Sequence, residues 1–285
     1  MTVRIGEISY TNILPIFYFT DRKMLMEKGF TFIPQVPAEL NRAMKSKEID
    51  VGGISSFAYG QNQEDYTLLP QLSVSSLGEV GSLFLFSKKP IEQLNHSKIA
   101  LTNSSATTIH LLKVILAHFY EFDMKYDMCE PNYETMLSEY EACLLIGDDA
   151  IKAAWRNEPG IYQYDLGELW YEKTGLPMTF AVMAVRNEVI EKQFEDIELL
   201  YRQFCYSKEY AQQTQFEPMI EAILQAHDGS IDFWRKYFQG LTYEFTEKEQ
   251  QGLLYYYQLC YQLGFLDKPV DDLRIFQPKK DKMTK

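Results

Sequence analysis

Apolar positions recur with two different periods along this 285-residue chain. Residues 3–8 (VRIGEI) alternate and read as a short strand. The strand runs into Ser9-Tyr10-Thr11-Asn12, polar residues able to cap a helix that carries Ile13, Leu14, Ile16 and Phe17. Pro15 suits the first turn of that helix, where no N–H is needed. A second strand is predicted over 30–36. Pro37 then opens an amphipathic helix with Leu40 and Met44 on one face. A third strand, buried in pattern, covers 49–54 and stops at Ser55-Ser56, another hydroxyl-rich entry to a helical turn. Strand and helix alternating in this rhythm predict parallel pairing with right-handed crossovers.

Two longer strands follow, over 66–74 and 80–87. Lys88-Lys89-Pro90 offers a point for the chain to leave a first lobe. A second α/β unit then begins: strand 98–101, loop Thr102-Asn103-Ser104, and a helix through Leu111, Leu112, Ile115 and Leu116. The apolar run 142–146 ends at Gly147-Asp148-Asp149. Tyr164-Asp165-Leu166-Gly167 starts a helix containing Trp170, and 180–185 is the last clear strand. From 187 onward the spacing is helical, over 188–205, 218–225, 231–238 and 246–263. Thr246 and Glu249 form a T-x-x-E capping box. The polar tail 279–285 is expected to be disordered. If the chain returns to the first lobe after Val185, lobe I comprises 1–87 plus 186–285 and lobe II 88–185. Two crossovers then make a hinge between lobes that close on a ligand.

Charge and composition narrow the function. The formal net charge of −12 argues against nucleic acid and against docking on anionic lipid, both of which need clustered Lys and Arg. An anion can still bind such a chain through local donors. Cys129, Cys143, Cys205 and Cys260 are far apart, with no C-x-x-C pair and no His at ligand spacing, so free thiols are expected and no metal site. The N-terminus MTVRIGEISYTN shows no basic-then-apolar leader, and no run of apolar residues reaches the length of a membrane span. A cytoplasmic location without membrane association is the expectation.

Three predicted strand ends share one chemistry: Tyr10-Thr11-Asn12, Ser55-Ser56, and Thr102-Asn103-Ser104-Ser105-Ala106-Thr107-Thr108. Open parallel sheets bind ligands beyond the carboxyl ends of their strands. Helix N-termini there offer backbone N–H groups and partial positive charge, and hydroxyls add donors without bulk. Each stretch also reads as a plain N-cap, which prefers the same residue types. Asp148 and Asp149 could do acid–base work or cap the helix that follows. His110 and His118 lie eight apart on one helix, without a nucleophile pattern nearby. No G-x-S-x-G, P-loop or G-x-G-x-x-G occurs. The residues alone therefore describe a cleft for a small anion with no obvious strong base.

An ordered set of motifs goes further. It begins with R-I-G-x-I-x-Y-x-N-x-x-P at 4–15 and Asp50-Val51 leading to Ser55-Ser56 and Tyr59. Val80-Gly81-Ser82-Leu83-Phe84 with Pro90-Ile91 follows, then Ser104-Ser105-Ala106-Thr107-Thr108 with Leu111-Leu112. Leu145-Ile146-Gly147-Asp148-Asp149-Ala150, Tyr164-Asp165-Leu166-Gly167 with Trp170, Thr174-Gly175-Leu176-Pro177 and Phe180-Ala181 complete it. Over 4–185 this series resembles the chorismate dehydratases of the futalosine route to menaquinone. Met178-Thr179 is a mild departure, standing where a more apolar or aromatic pair is usual.

The resemblance implies an α/β, two-lobed fold of the type II periplasmic-binding-protein kind, with a hinge and an interlobe cleft. It implies a carbon–oxygen lyase that removes water from chorismate to give 3-[(1-carboxyvinyl)oxy]benzoate, with no cofactor and no metal. By motif, Asn12 carries the catalytic role. Tyr10, Ser55, Ser56, Ser82, Ser105, Ala106, Thr107, Thr108 and Asp148 line up with substrate binding. A homodimer through the helical C-terminal region is an added expectation. The rivals are a cytoplasmic binding protein or sensor for an aromatic carboxylate, and the related dihydroxynaphthoate synthase. The latter is expected to open on a Ser-Pro-rich motif where this chain has Tyr10-Thr11-Asn12.

Overall fold

The computed structural model describes residues 2–8 and 10–279; Ser9 of the first predicted cap and 280–285 of the predicted disordered tail lie outside them. Eleven strands form two sheets among the described residues. They are β1 (Val3–Ile8), β2 (Phe30–Gln35), β3 (Val51–Ser55), β4 (Tyr66–Ser76), β5 (Leu83–Ser87), β6 (Lys98–Thr102), β7 (Lys125–Cys129), β8 (Ala142–Ile146), β9 (Tyr162–Asp165), β10 (Met178–Arg186) and β11 (Leu241–Thr242). The first sheet has the order β11-β4-β10-β3-β1-β2 and the second β7-β6-β8-β5-β9. β1 pairs in parallel with β2 and β3, and β6 with β7 and β8, as the alternating pattern predicts.

The pairing corrects the expected lobe boundary. β5 lies antiparallel between β8 and β9 in the second sheet. β10 lies antiparallel between β3 and β4 in the first. The chain therefore crosses between sheets at 77–82 and again at 175–177, not at 88–90 and after Val185. Both misplaced strands are nearly continuous apolar runs buried on both faces. Such a run announces a central strand but not which sheet accepts it. The sequence reading also passed over β7 and β9, half-exposed strands without clear alternation.

β8 shows how the second sheet is filled. Ala142, Leu144 and Ile146 join the main core, while Cys143 and Leu145 turn to a smaller cluster with Phe86, Ala100, Tyr133 and Met136. That two-residue alternation is the strand period with apolar residues on both faces. The C-terminal helices cover the first sheet. Helix Phe194–Gln213 packs on the short helix Leu14–Phe17, with Phe17 and Phe204 ring centroids 4.9 Å apart. The capping box at the start of helix Glu247–Gln262 forms as predicted.

One buried ion pair ties the first sheet together. Asp50, just before β3, accepts the Arg4 backbone N–H and Nε at 2.9 Å and Arg4 Nη2 at 2.7 Å. Arg186, at the end of β10, reaches the same carboxylate at 3.1 Å. The Asp50 and Arg186 side chains are only 6% and 9% exposed. Removing Asp50 takes away the charge shared by the Arg4 and Arg186 guanidinium groups, which then repel each other with only Glu188 and the Lys47 carbonyl left to Arg186. Asp50→Ala is therefore expected to lower unfolding free energy by about 3 kcal/mol or more in urea titration. A loss below about 1 kcal/mol, the level of an exposed pair, contradicts this.

Candidate active site

The C-terminal ends of β1, β3, β6 and β8 all open on one cleft between the sheets. Its walls are Ile8, Tyr10, Asn12, Ile13, Pro37, Ser55, Val74, Val80, Leu83, Ser104, Ser105, Thr108, Ile146, Gly147, Phe180 and Ala181. Counted to its open mouth it holds about 640 Å³. Both sheets contribute, so the cleft exists only between them. Its walls are mainly apolar, with polar groups at helix starts.

Each start is built locally. Ser55 is the N-cap of helix Ser56–Gln61, and its Oγ accepts the Ala58 N–H at 3.2 Å. Asn41, from helix Pro37–Lys45, clamps the same residue: its Nδ2 donates to Ser55 Oγ at 3.2 Å and its Oδ1 accepts the Ser55 N–H at 3.1 Å. Ser55 Oγ thus uses its acceptor sites on the protein, which leaves its hydroxyl hydrogen as a donor. Ser105 caps helix Ala106–Val114 by accepting the Thr108 N–H at 3.2 Å, and it donates to Thr108 Oγ1 at 2.9 Å. Helix Gly147–Trp155 has no side-chain cap at all. Gly147 itself has φ +58, a left-handed conformation that favours glycine, and the Tyr10 ring lies 3.6 Å from where a Cβ would stand. The Gly147 N–H donates to the Ser82 carbonyl at 2.7 Å, which ties this helix start to the first crossing segment.

Tyr10 spans the gap from the first sheet towards Gly147. Burial pushes its phenol up, the neighbouring Ser104 hydroxyl pulls it down, and Asp149 and Asp148 add to the rise. It is a neutral donor at physiological pH. Asn12 sits on the single 3₁₀ turn Thr11–Ile13, and its carboxamide has no hydrogen-bond partner among the described residues. A carboxamide with free donor and acceptor, facing a cleft, can orient a hydroxyl. Apart from Tyr10, none of the described residues that line the cleft is titratable.

The structure thus brings Tyr10, Asn12, Ser55, Ser105 and Thr108 to the cleft wall. It places the other predicted residues elsewhere. Ser56 is fully buried, donates to the Thr179 carbonyl at 2.7 Å, and accepts from Tyr257 through its own carbonyl. Thr107 Oγ1 accepts the Phe57 N–H at 3.0 Å. Ala106 accepts from His110 Nδ1 at 2.8 Å through its carbonyl. Ser82 is fully buried and accepts the Tyr237 hydroxyl at 3.0 Å. Asp148 lies behind the wall, 3.4 Å from Thr11 Oγ1. Met178 and Thr179 are buried in β10, so the departure there does not alter the cleft surface. His110 is a core histidine: its ring stacks on Phe57 at 3.6 Å, and burial pushes its pKa down to about 4.

Sequence reasoning missed Asn41, Pro37 and the use of Asp165. That carboxylate caps helix Leu166–Thr174 through the Gly167 and Glu168 N–H groups, at 2.8 and 3.2 Å. It also accepts the Val80 and Gly81 N–H groups, at 3.0 and 2.7 Å. It therefore pins the first interlobe crossing beside Val80 of the cleft wall. Burial pushes the Asp165 carboxyl up to about 6, against the opposing pull of those four amides.

These features define a two-lobed protein with a periplasmic-binding-protein-like fold. The periplasmic aliphatic sulphonate-binding protein SsuA of Escherichia coli superposes with a TM-score of 0.69 at 16% identity, covering 98% of this chain and 93% of that one. A protein of Archaeoglobus fulgidus gives 0.72 at 20% identity, covering 93% and 98%. At those identities the likeness is one of fold. Residues 3–262 match the menaquinone biosynthesis family, and the chain belongs to it. A chorismate dehydratase of Thermus thermophilus is 37% identical over 198 residues, 65% of this chain and 70% of that protein. A 1,4-dihydroxy-6-naphtoate synthase of the same organism is 25% identical over 152 residues, 53% of this chain and 54% of that protein.

The Asp165 shift has a sign that can be measured. A carboxyl raised on folding binds its proton more tightly in the folded chain. Its stabilising contribution is complete below the ordinary value of 3.8 and is lost as pH rises through about 6. In urea unfolding from pH 7 down to pH 4, wild type should gain on Asp165→Asn by up to about 3 kcal/mol. A difference that does not change with pH contradicts the assignment.

Proposed function

We propose that this protein is a chorismate dehydratase, acting in the cytoplasm on the futalosine route to menaquinone. The observation that carries the reading is the 37% identity to the Thermus thermophilus chorismate dehydratase, which exceeds the 25% to the naphtoate synthase of that organism. The cleft supports it. Chorismate carries two carboxylates and one allylic hydroxyl on a cyclohexadiene ring. The cleft offers hydroxyl donors at Ser55 and Thr108, the Tyr10 phenol and the Asn12 carboxamide, and apolar walls from Val74, Val80, Leu83 and Phe180.

The reaction breaks the C3–H and C4–O bonds and forms the C3–C4 double bond that completes an aromatic ring. The electron pair of the C3–H bond becomes the new π bond. The C4–O electron pair leaves with the oxygen, and the proton taken from C3 ends on that hydroxyl, so one water is released and nothing else is consumed. Aromatisation supplies the driving force, so orientation matters more than a strong base. Among the described residues the cleft wall holds no carboxylate, histidine or lysine, and its one titratable group is a tyrosine whose phenol is raised. The proton acceptor in this account is a carboxylate of the substrate itself. Asn12 orients the reacting centre and hydrogen-bonds the leaving hydroxyl, and neutral Tyr10 donates alongside it. The protein contributes geometry and exclusion of water.

Purified protein incubated with chorismate, without metal or cofactor, should yield a product lighter by one water, followed by chromatography and mass. Asn12→Ala should lower kcat about 100-fold, the cost of losing one aligned polar group in a dry site. Tyr10→Phe should cost roughly tenfold, one neutral hydrogen bond. Tight binding without turnover contradicts the enzyme reading and leaves a sensor; neither binding nor turnover contradicts the substrate.

A further inference from the structure

The helix Gly147–Trp155 leaves the second sheet, yet both of its ends are held from the far side of the cleft. At the first turn, Asp148 Oδ1 accepts from Thr11 Oγ1 at 3.4 Å, and its Oδ2 lies 3.5 Å from His227 Nδ1. Thr11 is buried on the turn that carries Asn12. His227 stands on the loop after helix Glu217–Ile223. At the last turn, the Trp155 ring meets Phe233 edge to face, with centroids 4.9 Å apart. Between these contacts the loop closes at Gly229, whose φ is +114. A Cβ there would stand 2.8 Å from Trp234 Nε1 and 3.2 Å from the Trp155 ring. Tyr237 adds a third tie through its hydrogen bond to Ser82 on the first crossing segment.

His227, Phe233 and Tyr237 belong to one stretch of chain. That stretch leads directly into β11, which pairs with β4 of the first sheet. Asp148 and Trp155 are seven residues apart, or roughly 10 Å along a helix axis. One contact would act as a pivot; two at that separation fix the helix direction. Asn12 has no hydrogen bond of its own among the described residues, so its aim depends on its neighbours. Ile13 beside it is in the core, and Thr11 on its other side is tied to Asp148.

We propose that Asp148 and His227 form a latch between the two lobes, behind the cleft wall. They are positioning residues that set the closed geometry of the Asn12 turn, and neither touches substrate. Contacts of 3.4 and 3.5 Å are longer than a charge-assisted hydrogen bond of about 2.8 Å. A tie of that strength suits lobes that part to admit a ligand. The proposal rests on the dehydratase reading only for its kinetic arm.

The test is small-angle X-ray scattering of the unliganded protein, together with chorismate binding and turnover. The set is wild type, Asp148→Asn, His227→Gln and the double variant. Each single change should enlarge the radius of gyration, and the double should enlarge it no further, since both break one contact. Turnover should fall roughly tenfold or more, as a misplaced catalytic group requires. Chorismate Kd should move less than about threefold. An unchanged radius in both single variants overturns the latch. So does a Kd weakened in Asp148→Asn alone with His227→Gln at wild-type level, since that marks a direct substrate contact. If Asp148→Asn does not fold, His227→Gln decides by the same radius and turnover. If wild type neither binds nor converts chorismate, the dehydratase reading fails and the scattering arm still decides the latch.

Discussion

The carboxylate of Asp165 accepts four backbone N–H groups, two from the crossing segment at Val80 and Gly81 and two from the helix it caps. It is 4% exposed, and burial works against its charge. Such a group is retained where the alternative is worse: four amides without acceptors at the point where the chain changes sheets. With the crossing pinned, β5 enters the second sheet between β8 and β9, and β10 returns to the first between β3 and β4. The ends of β1, β3, β6 and β8 then face one another across the cleft.

An acidic chain can bind a dianion in that cleft because of what its walls leave out. Two carboxylates beside it, Asp148 and Asp165, are turned into ties between segments. Burial raises the Asp149 carboxyl, with Lys152 opposing and Asp148 adding. What faces the cleft is neutral: hydroxyls, one carboxamide and one phenol. These groups carry no charge to repel a carboxylate and little desolvation penalty to overcome. They also provide no strong base, which matches an elimination driven by aromatisation.

Much of this was legible in the chain. Strand 3–8 follows from alternation, strand 142–146 from a continuous apolar run, and the Thr246–Glu249 cap from residue type and spacing. The three hydroxyl-rich strand ends do converge. Within each stretch, though, only some residues reach the cleft. Ser55 and Ser105 are the caps, and Thr108 lies one turn in. Ser56 and Thr107 rotate away by a fraction of a helical turn and bond to β10 and to the Phe57 N–H. A motif marks the segment, and the helix phase decides which side chain it presents. Asn41, His227 and Tyr237 were not legible as site residues, because each acts on a partner in another element. The lobe assignment of β5 and β10 failed for the same reason: hydrophobic period records burial, not pairing partner.

The central claim is that this cleft dehydrates by orientation, with the substrate as its own proton acceptor. The most direct measurement is kcat with chorismate from pH 7 to pH 9. The account predicts a flat profile, because the one titratable residue of the cleft wall, Tyr10, has its phenol raised above its ordinary value of 10. A clear inflection in that range, abolished by replacing a single protein side chain, would reveal a protein base and contradict the account.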